Sequence, residues 1–220
     1  MCNLFIDLVI YLPYNYIKKI YNYKLTVYNI MSSFSSFQEK TGYLEMAIGP
    51  MFSGKTTWLI EKYKAYTYIG KKVLVINYCA DKRYSTTMLS SHDRIEIPCV
   101  FSGFIHEDGV WKQVKEADVV LINEGQFFSD LVPAVRDMVD SMKKHVFISG
   151  LDGDFRREKF GDILDLIPVC DKVEKLSALC AVCKNGTPAI FSKRITDESS
   201  QVVIGSDNYK PLCRNCYLST

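Results

Sequence analysis

At 220 residues, the chain is long enough for one well-filled domain plus a small appendage, and a formal net charge of +2 argues against a broad basic face for coating nucleic acid. Its 48% hydrophobic and 24% charged content argues against disorder of the whole chain. The apolar run at 4–12 contains Asp7, lacks a basic stretch before it and has no small-residue cleavage site, so it does not read as a signal peptide; it is also too short to span a bilayer.

The first thirty residues are dominated by Asn, Ile, Lys and Tyr and show no helical or strand period. Two readings stand. The codons of these residues are AT-rich, so the segment could be upstream sequence read into the frame, with Met31 as the start; or it is an extension that packs on the body or on a partner. Residues 1–41 are therefore set apart as an N-terminal extension.

From 42 onward the elements are clear. The spacing predicts a strand over 43–48, a glycine-bounded loop over 49–56 and a helix over 57–69 stopped by Gly70. Three short apolar runs, 73–76, 119–122 and 146–148, are of the kind buried on both faces of a parallel sheet. A crossover helix over 132–142 lies between the last two, with Pro133 tolerable in its first turn. Beyond Cys180, extended runs at 189–192 and 201–204, parted by the polar turn 196–200, predict a β-hairpin between two CxxC knuckles. The implied fold class is α/β: a P-loop (RecA-like) parallel sheet flanked by helices over 42–177, with a small C-terminal zinc-ribbon lid over 178–220.

Residues 49–56, GPMFSGKT, match GxxxxGK[ST] in full, after a strand and ahead of a helix. Glycines let backbone N–H groups turn inward around phosphate oxygens, and the helix presents its positive end. Lys55 would reach the β- and γ-phosphates of ATP, and the Thr56 hydroxyl would ligate Mg²⁺. Asn123 and Glu124 follow a buried strand at the edge where α/β sheets bind ligands, which makes Glu124 the candidate general base for a hydroxyl nucleophile. The same base could activate water, so this feature alone does not separate a kinase from an ATPase.

Cys180, Cys183, Cys213 and Cys216 form two CxxC pairs that fit a closed four-thiolate zinc site, structural in role, in a reducing and hence cytoplasmic setting. The zinc would pin both ends of segment 184–212 into a flap able to close over a substrate and exclude water. Cys79, Cys99 and Cys170 read as core. His106 and His145 read as surface or cap residues, and the mixed-sign run 156–159 reads as a solvated turn.

Together these features resemble the type II thymidine kinases, the cytosolic and poxvirus enzymes, over roughly 42–217. The resemblance rests on the phosphate loop, on Asp81, Lys82, Arg83 and Tyr84 with the stretch 91–94, on Glu124 through Phe128, on the LDGDF stretch at 151–155, and on the CxxC pairs around 203–205 and Tyr209. It implies Glu124 as catalytic base and Gly49, Pro50, Met51, Phe52, Ser53, Gly54, Lys55 and Thr56 as the triphosphate cradle. Asp81, Lys82 and Arg83, with Asn123, Glu124, Gly125 and Gln126, would complete the ATP side. On the nucleoside side it implies Phe155 stacked on thymine and Phe127 near the substrate. Met51 and Leu151 would pocket the methyl group. Gln201, Val202, Val203, Ile204, Gly205 and Tyr209 would form the flap. It further implies a homotetramer, feedback binding of dTTP, deoxyuridine as a second acceptor, and neither nucleic acid nor membrane as partner. The family usually carries aspartate where this chain has Asn123, so the metal loses a charged neighbour.

A competing reading is a nucleic-acid-dependent P-loop ATPase with a zinc ribbon, which needs a basic groove and further motor motifs that the sequence lacks. A nucleoside monophosphate kinase needs an arginine-rich lid, yet Arg194 is the only arginine in 184–212. A non-catalytic zinc-ribbon scaffold leaves the phosphate loop and Glu124 without a purpose.

Overall fold

The apolar runs become adjacent strands. The structure is a computed structural model that describes residues 41–80, 88–91, 93–203, 205 and 207–219. The expectations for residues 1–40, for Asp81, Lys82, Arg83 and Tyr84, and for Ile204 fall outside the described residues. In chain order, β1 (Tyr43–Ile48) leads to α1 (Lys55–Tyr68), β2 (Val73–Tyr78), β3 (Met88–Ser90), β4 (Glu96–Pro98), β5 (Val100–Ser102) and α2 (Asp108–Glu116). Then come β6 (Val119–Ile122), α3 (Leu131–Arg136) running on as a π-helical turn (Asp137–Ser141), β7 (His145–Gly150), a 3-10 segment (Ile163–Val169) and β8 (Lys172–Lys175). The last part holds β9 (Ala178–Leu179), β10 (Pro188–Ala189), β11 (Phe191–Arg194), β12 (Tyr209–Leu212) and α4 (Arg214–Leu218). Lys40–Thr220 forms one compact unit.

Six strands make the expected parallel sheet in the order β5-β2-β6-β7-β1-β8. All four residues of β6 are buried, because both faces of the sheet are covered. Period-2 alternation sorts the side chains. Leu44, Met46, Ile48, Val120, Ile122, Val146 and Ile148 pack with α2, α3 and the 3-10 segment on one face. The opposite face meets α1, where Trp58 and Tyr66 lie against Phe147 at ring separations of 6.2 and 5.1 Å. Glu45 is buried on this second face and ion-paired to Lys62 of α1 at 2.8 Å and Lys172 of β8 at 2.9 Å. No helix among the described residues is long and apolar enough to cross a membrane.

Three expectations need correction. The hairpin beyond Cys180 pairs β11 with β12, Phe191 opposite Leu212 and Arg194 opposite Tyr209, whereas Ala189 pairs with Ala178 of β9. Pro211 hides β12 in the sequence, since proline reads as a strand breaker. The stretch 201–203 is not a strand, because the Arg194 guanidinium engages backbone carbonyls of this loop. His145 is not at the surface: it is half-buried, with its ring beside Tyr43 (5.5 Å) and Tyr66 (6.1 Å), and burial pushes its pKa down. Cys79, Cys99 and Cys170 are partly exposed and not fully in the core.

Candidate active site

The loops after β1, β6 and β7 meet at one edge of the sheet, as the register Ile48 opposite Gly150 and Ile122 opposite Ile148 requires. Gly49 must be glycine: a Cβ there would lie 2.4 Å from the Leu176 carbonyl oxygen. Gly54 takes a left-handed conformation (φ 84°) as the N-cap of α1, where an L side chain is strained. The Ser53 hydroxyl donates to the Pro50 carbonyl at 2.8 Å, and Lys55 Nζ donates to the same oxygen at 2.6 Å. Lys55 is buried, so its charge is held at the loop centre.

Beyond β6, Asn123 is 2% exposed. Its Nδ2 donates to Asn77 Oδ1 at 2.9 Å and its Oδ1 accepts the Ser149 hydroxyl at 2.8 Å, so three neutral groups tie β2, β6 and β7 together. Glu124 is only partly buried and has a left-handed backbone (φ 55°, ψ 44°), an uncommon conformation for a side-chain-bearing residue. That bend turns the chain away from the strand and sets the carboxylate at the cleft. Gln126 is buried; its Nε2 donates to Glu124 Oε2 at 2.7 Å and its Oε1 accepts the Leu151 amide N–H at 2.9 Å.

On the other side of the cleft, the turn carrying Phe155 is organised by Asp154. Its Oδ1 accepts the amides of Arg156 and Glu158, and its Oδ2 accepts Gln201 Nε2 at 2.9 Å. The Arg194 guanidinium carbon lies 3.7 Å from the Phe155 ring centre. Its Nη atoms donate to the carbonyls of Glu198, Ser200 and Gln201 and to the Tyr209 hydroxyl, which in turn donates to the Val203 carbonyl at 3.1 Å. Strand β11 also reaches the phosphate loop, the Ser192 hydroxyl accepting the Met51 amide at 2.8 Å. Phe127 stacks on Tyr78, with ring centres 4.9 Å apart.

These elements enclose a cleft of about 490 Å³, within the ordinary range for a small-molecule site. Met51, Phe52, Ser53, Gly54, Lys55 and Thr56 line one end, with Asn123, Glu124 and Phe127 beside them. Leu151 and Phe155 line the floor, and Gln201, Val202, Val203, Gly205 and Tyr209 the far wall. Gly49, Pro50, Gly125 and Gln126 are not among the residues that line the cleft. Sequence reasoning missed Arg194 as the organiser of the loop and Gln126 as the partner of Glu124. The only available signal was the isolation of a single arginine in a polar loop; nothing pointed to the glutamine contact. The run 156–159 is exposed, as expected of a solvated turn.

The Sγ atoms of Cys180, Cys183, Cys213 and Cys216 all lie within 4.8 Å of one another, with Cys183 3.4 Å from Cys216 and 3.7 Å from Cys213. Four thiolates about 2.3 Å from a tetrahedral zinc would stand about 3.8 Å apart, so the donor set fits zinc. Amide N–H groups of Cys183 and Cys213 bring the Cys180 thiol down to about 6, while hydrogen bonds with the Cys183 and Cys213 thiols push that of Cys216 up to about 12.

The sequence profile of the thymidine kinases, described as "Thymidine kinase", matches residues 42–217. The thymidine kinase of sheeppox virus (strain KS-1) is 40% identical over 177 residues, 80% of this chain and 97% of that protein. Thymidine kinase 1 of Dictyostelium discoideum is 40% identical over 183 residues, 81% of this chain and 78% of that protein. The cytosolic thymidine kinase of Bos taurus is 37% identical over 177 residues, 80% of this chain and 72% of that protein.

Proposed function

This chain belongs to the thymidine kinase family, and from that premise we propose that it moves the γ-phosphoryl group of ATP onto the 5′-hydroxyl of thymidine in the cleft described above. The supporting observation is the convergence of Lys55, Glu124 and Val203 on one cleft. Lys55 and the inward amides of loop 49–56 hold the β- and γ-phosphates. Glu124 accepts the proton of the 5′-hydroxyl as the new P–O bond forms and the bond to the β-phosphate oxygen of departing ADP breaks. Gln201, Val202, Val203, Gly205 and Tyr209 cover the nucleoside and keep water from competing for the phosphoryl group. Phe155, Leu151 and Met51 supply the apolar surface for the base, and Gly125 and Gln126 support the ATP side beside Glu124.

The Thr56 hydroxyl suits a hard cation such as Mg²⁺, which, bound there with ATP, would offset phosphate charge; Asn123 lines the same cleft, with its amide engaged by Asn77 and Ser149. The four clustered cysteines hold a structural zinc that anchors residues 178–220 as a substrate lid. Family membership is the support for deoxyuridine as a second acceptor, feedback by dTTP, a homotetramer and a cytoplasmic location.

The test offers the purified protein ATP and Mg²⁺ with a panel of nucleosides, nucleoside monophosphates and single-stranded DNA. Phosphate transfer to thymidine is expected, with no stimulation by DNA. DNA-stimulated ATP hydrolysis without thymidine phosphorylation would sink the proposal in favour of a nucleic-acid-dependent ATPase.

A further inference from the structure

Loop 198–203 forms no strand, yet it makes one wall of the cleft. Residues 198–202 are exposed, so water could serve their backbone carbonyls, yet side-chain donors take several of them. Those of Glu198, Ser200 and Gln201 accept from Arg194, and that of Val203 accepts from Tyr209, whose hydroxyl also accepts from Arg194. Arg194 is 5% exposed, and among the described residues each of its acceptors is a neutral oxygen. A buried cation without a carboxylate partner is costly, so its hydrogen bonds and the ring face beneath it must offset that cost. The face is that of Phe155, at 3.7 Å, within the range of a strong cation–π contact. All four Nη hydrogens are engaged, while Nε has no hydrogen-bond partner among the described residues.

We propose that Arg194 is the positioning residue of the nucleoside half of the site: one guanidinium sets the loop wall and the Phe155 ring in register with each other. The inference rests on the thymidine-kinase reading above. Two further contacts join the same parts, Gln201 Nε2 to Asp154 Oδ2 and Arg156 Nη2 to the Ser199 carbonyl at 2.8 Å, yet among the described residues only Arg194 reaches three loop carbonyls, a loop-facing hydroxyl and a ring face together. Lysine cannot replace it. An ammonium has three tetrahedral donors and no plane, so it cannot serve four acceptors while lying flat on a ring. Among the described residues, β11 hydrogen-bonds to the phosphate loop through Ser192 and Met51, two residues from Arg194, so the nucleotide half should be insensitive to it.

The experiment uses the full chain with its metal bound. In Arg194→Lys and Arg194→Met, the KM for thymidine should rise about tenfold or more, with the KM for ATP within about twofold of the parent and zinc content unchanged. Limited proteolysis supplies an arm that needs no turnover: a glutamate-specific protease should cut after Glu198 about tenfold faster in Arg194→Met than in the parent, at equal zinc content. A lysine variant with the parent's thymidine KM, a parallel rise in both KM values, or equal cleavage rates after Glu198 in parent and methionine variant would each overturn the role of Arg194. A parent protein that phosphorylates no thymidine would overturn the functional reading instead, and the proteolysis arm would still decide whether Arg194 holds the loop.

Discussion

Gln126 and Glu124 are joined by a 2.7 Å hydrogen bond, Nε2 to Oε2, and the far end of the same glutamine holds the Leu151 amide. The proposed base is thus anchored to the backbone at Leu151, which lines the cleft. Replacing Gln126 with methionine keeps the length and removes both bonds. A hydrogen bond to a charged group contributes about 1.5–3 kcal/mol, so kcat should fall by about 10- to 100-fold while the KM for ATP changes little. Steady-state kinetics checks this. A methionine variant with full kcat would remove Gln126 from the positioning of Glu124.

Glu124→Gln should keep the fold and ATP binding and cut turnover by about 10²–10⁴-fold, the usual share of a positioned base. Near-normal turnover in a folded variant would end the base assignment. The left-handed backbone at 124 is unaffected by this exchange, which makes it a clean test of the carboxylate alone.

Asn123→Asp probes the cation site. Asn123 now donates to Asn77 and accepts from Ser149. An aspartate keeps the Ser149 bond and loses the donor, so Asn77 must turn its amide over to donate instead. The added charge lies near the proposed position of Mg²⁺, and such attraction is large in a partly dry site. The Mg²⁺ concentration for half-maximal rate should therefore fall. Superimposable magnesium titrations of the two proteins would show that residue 123 does not tune the metal.

Cys213→Ser should release zinc and raise the KM for thymidine more than that for ATP, because the cysteine cluster borders the strands that carry the loop. Metal analysis of the parent should give one zinc per chain. Equal loss of both substrates would point to general unfolding.

Acid sensitivity should trace in part to Glu45. Burial alone would raise its pKa, but Lys62 and Lys172 together hold it below the ordinary carboxylate value. A depressed folded value means that the stabilisation is complete above the unfolded pKa, near 4.5, and is lost as pH falls through the folded value. His145, also depressed, adds a loss with the same sign that begins as pH falls below about 6.5. Glu45→Gln should lose about 3 kcal/mol at neutral pH, the low end for breaking a buried pair, since Lys172 keeps half its side chain in water. At about 2–4 °C per kcal/mol, Tm should drop by about 6–12 °C. The gap between variant and parent should narrow below pH 4.5, and a gap that stays constant with pH would show that the ion pairs do not set the acid limb.

The sheet was legible because its central strands are buried on both faces, so β2, β6 and β7 read as unbroken apolar runs. β8 (KVEK) was not, since it is an edge strand whose residues are mostly exposed and carry little apolar signal. The phosphate loop and the cysteine pairs were readable because their chemistry is local and fixed by spacing. Arg194 and Gln126 were opaque for the opposite reason: their partners are backbone groups, or lie across a turn, and backbone carbonyls leave no mark in a list of side chains. β12 was hidden by Pro211, whose missing N–H costs little because its carbonyl still accepts the Ala181 amide at 3.0 Å.

The position of β7 between β1 and β6 works as a ruler. Parallel neighbours stand about 4.8 Å apart, so the strand feeding the phosphate loop and the strand feeding Glu124 are about 9.6 Å apart. Had the two strands been adjacent, the carboxylate would crowd the triphosphate and meet it charge to charge. One interposed strand leaves room for a phosphoryl group and an attacking hydroxyl between the phosphate loop and the proposed base, a distance set by backbone hydrogen bonding that no single side-chain substitution can shorten.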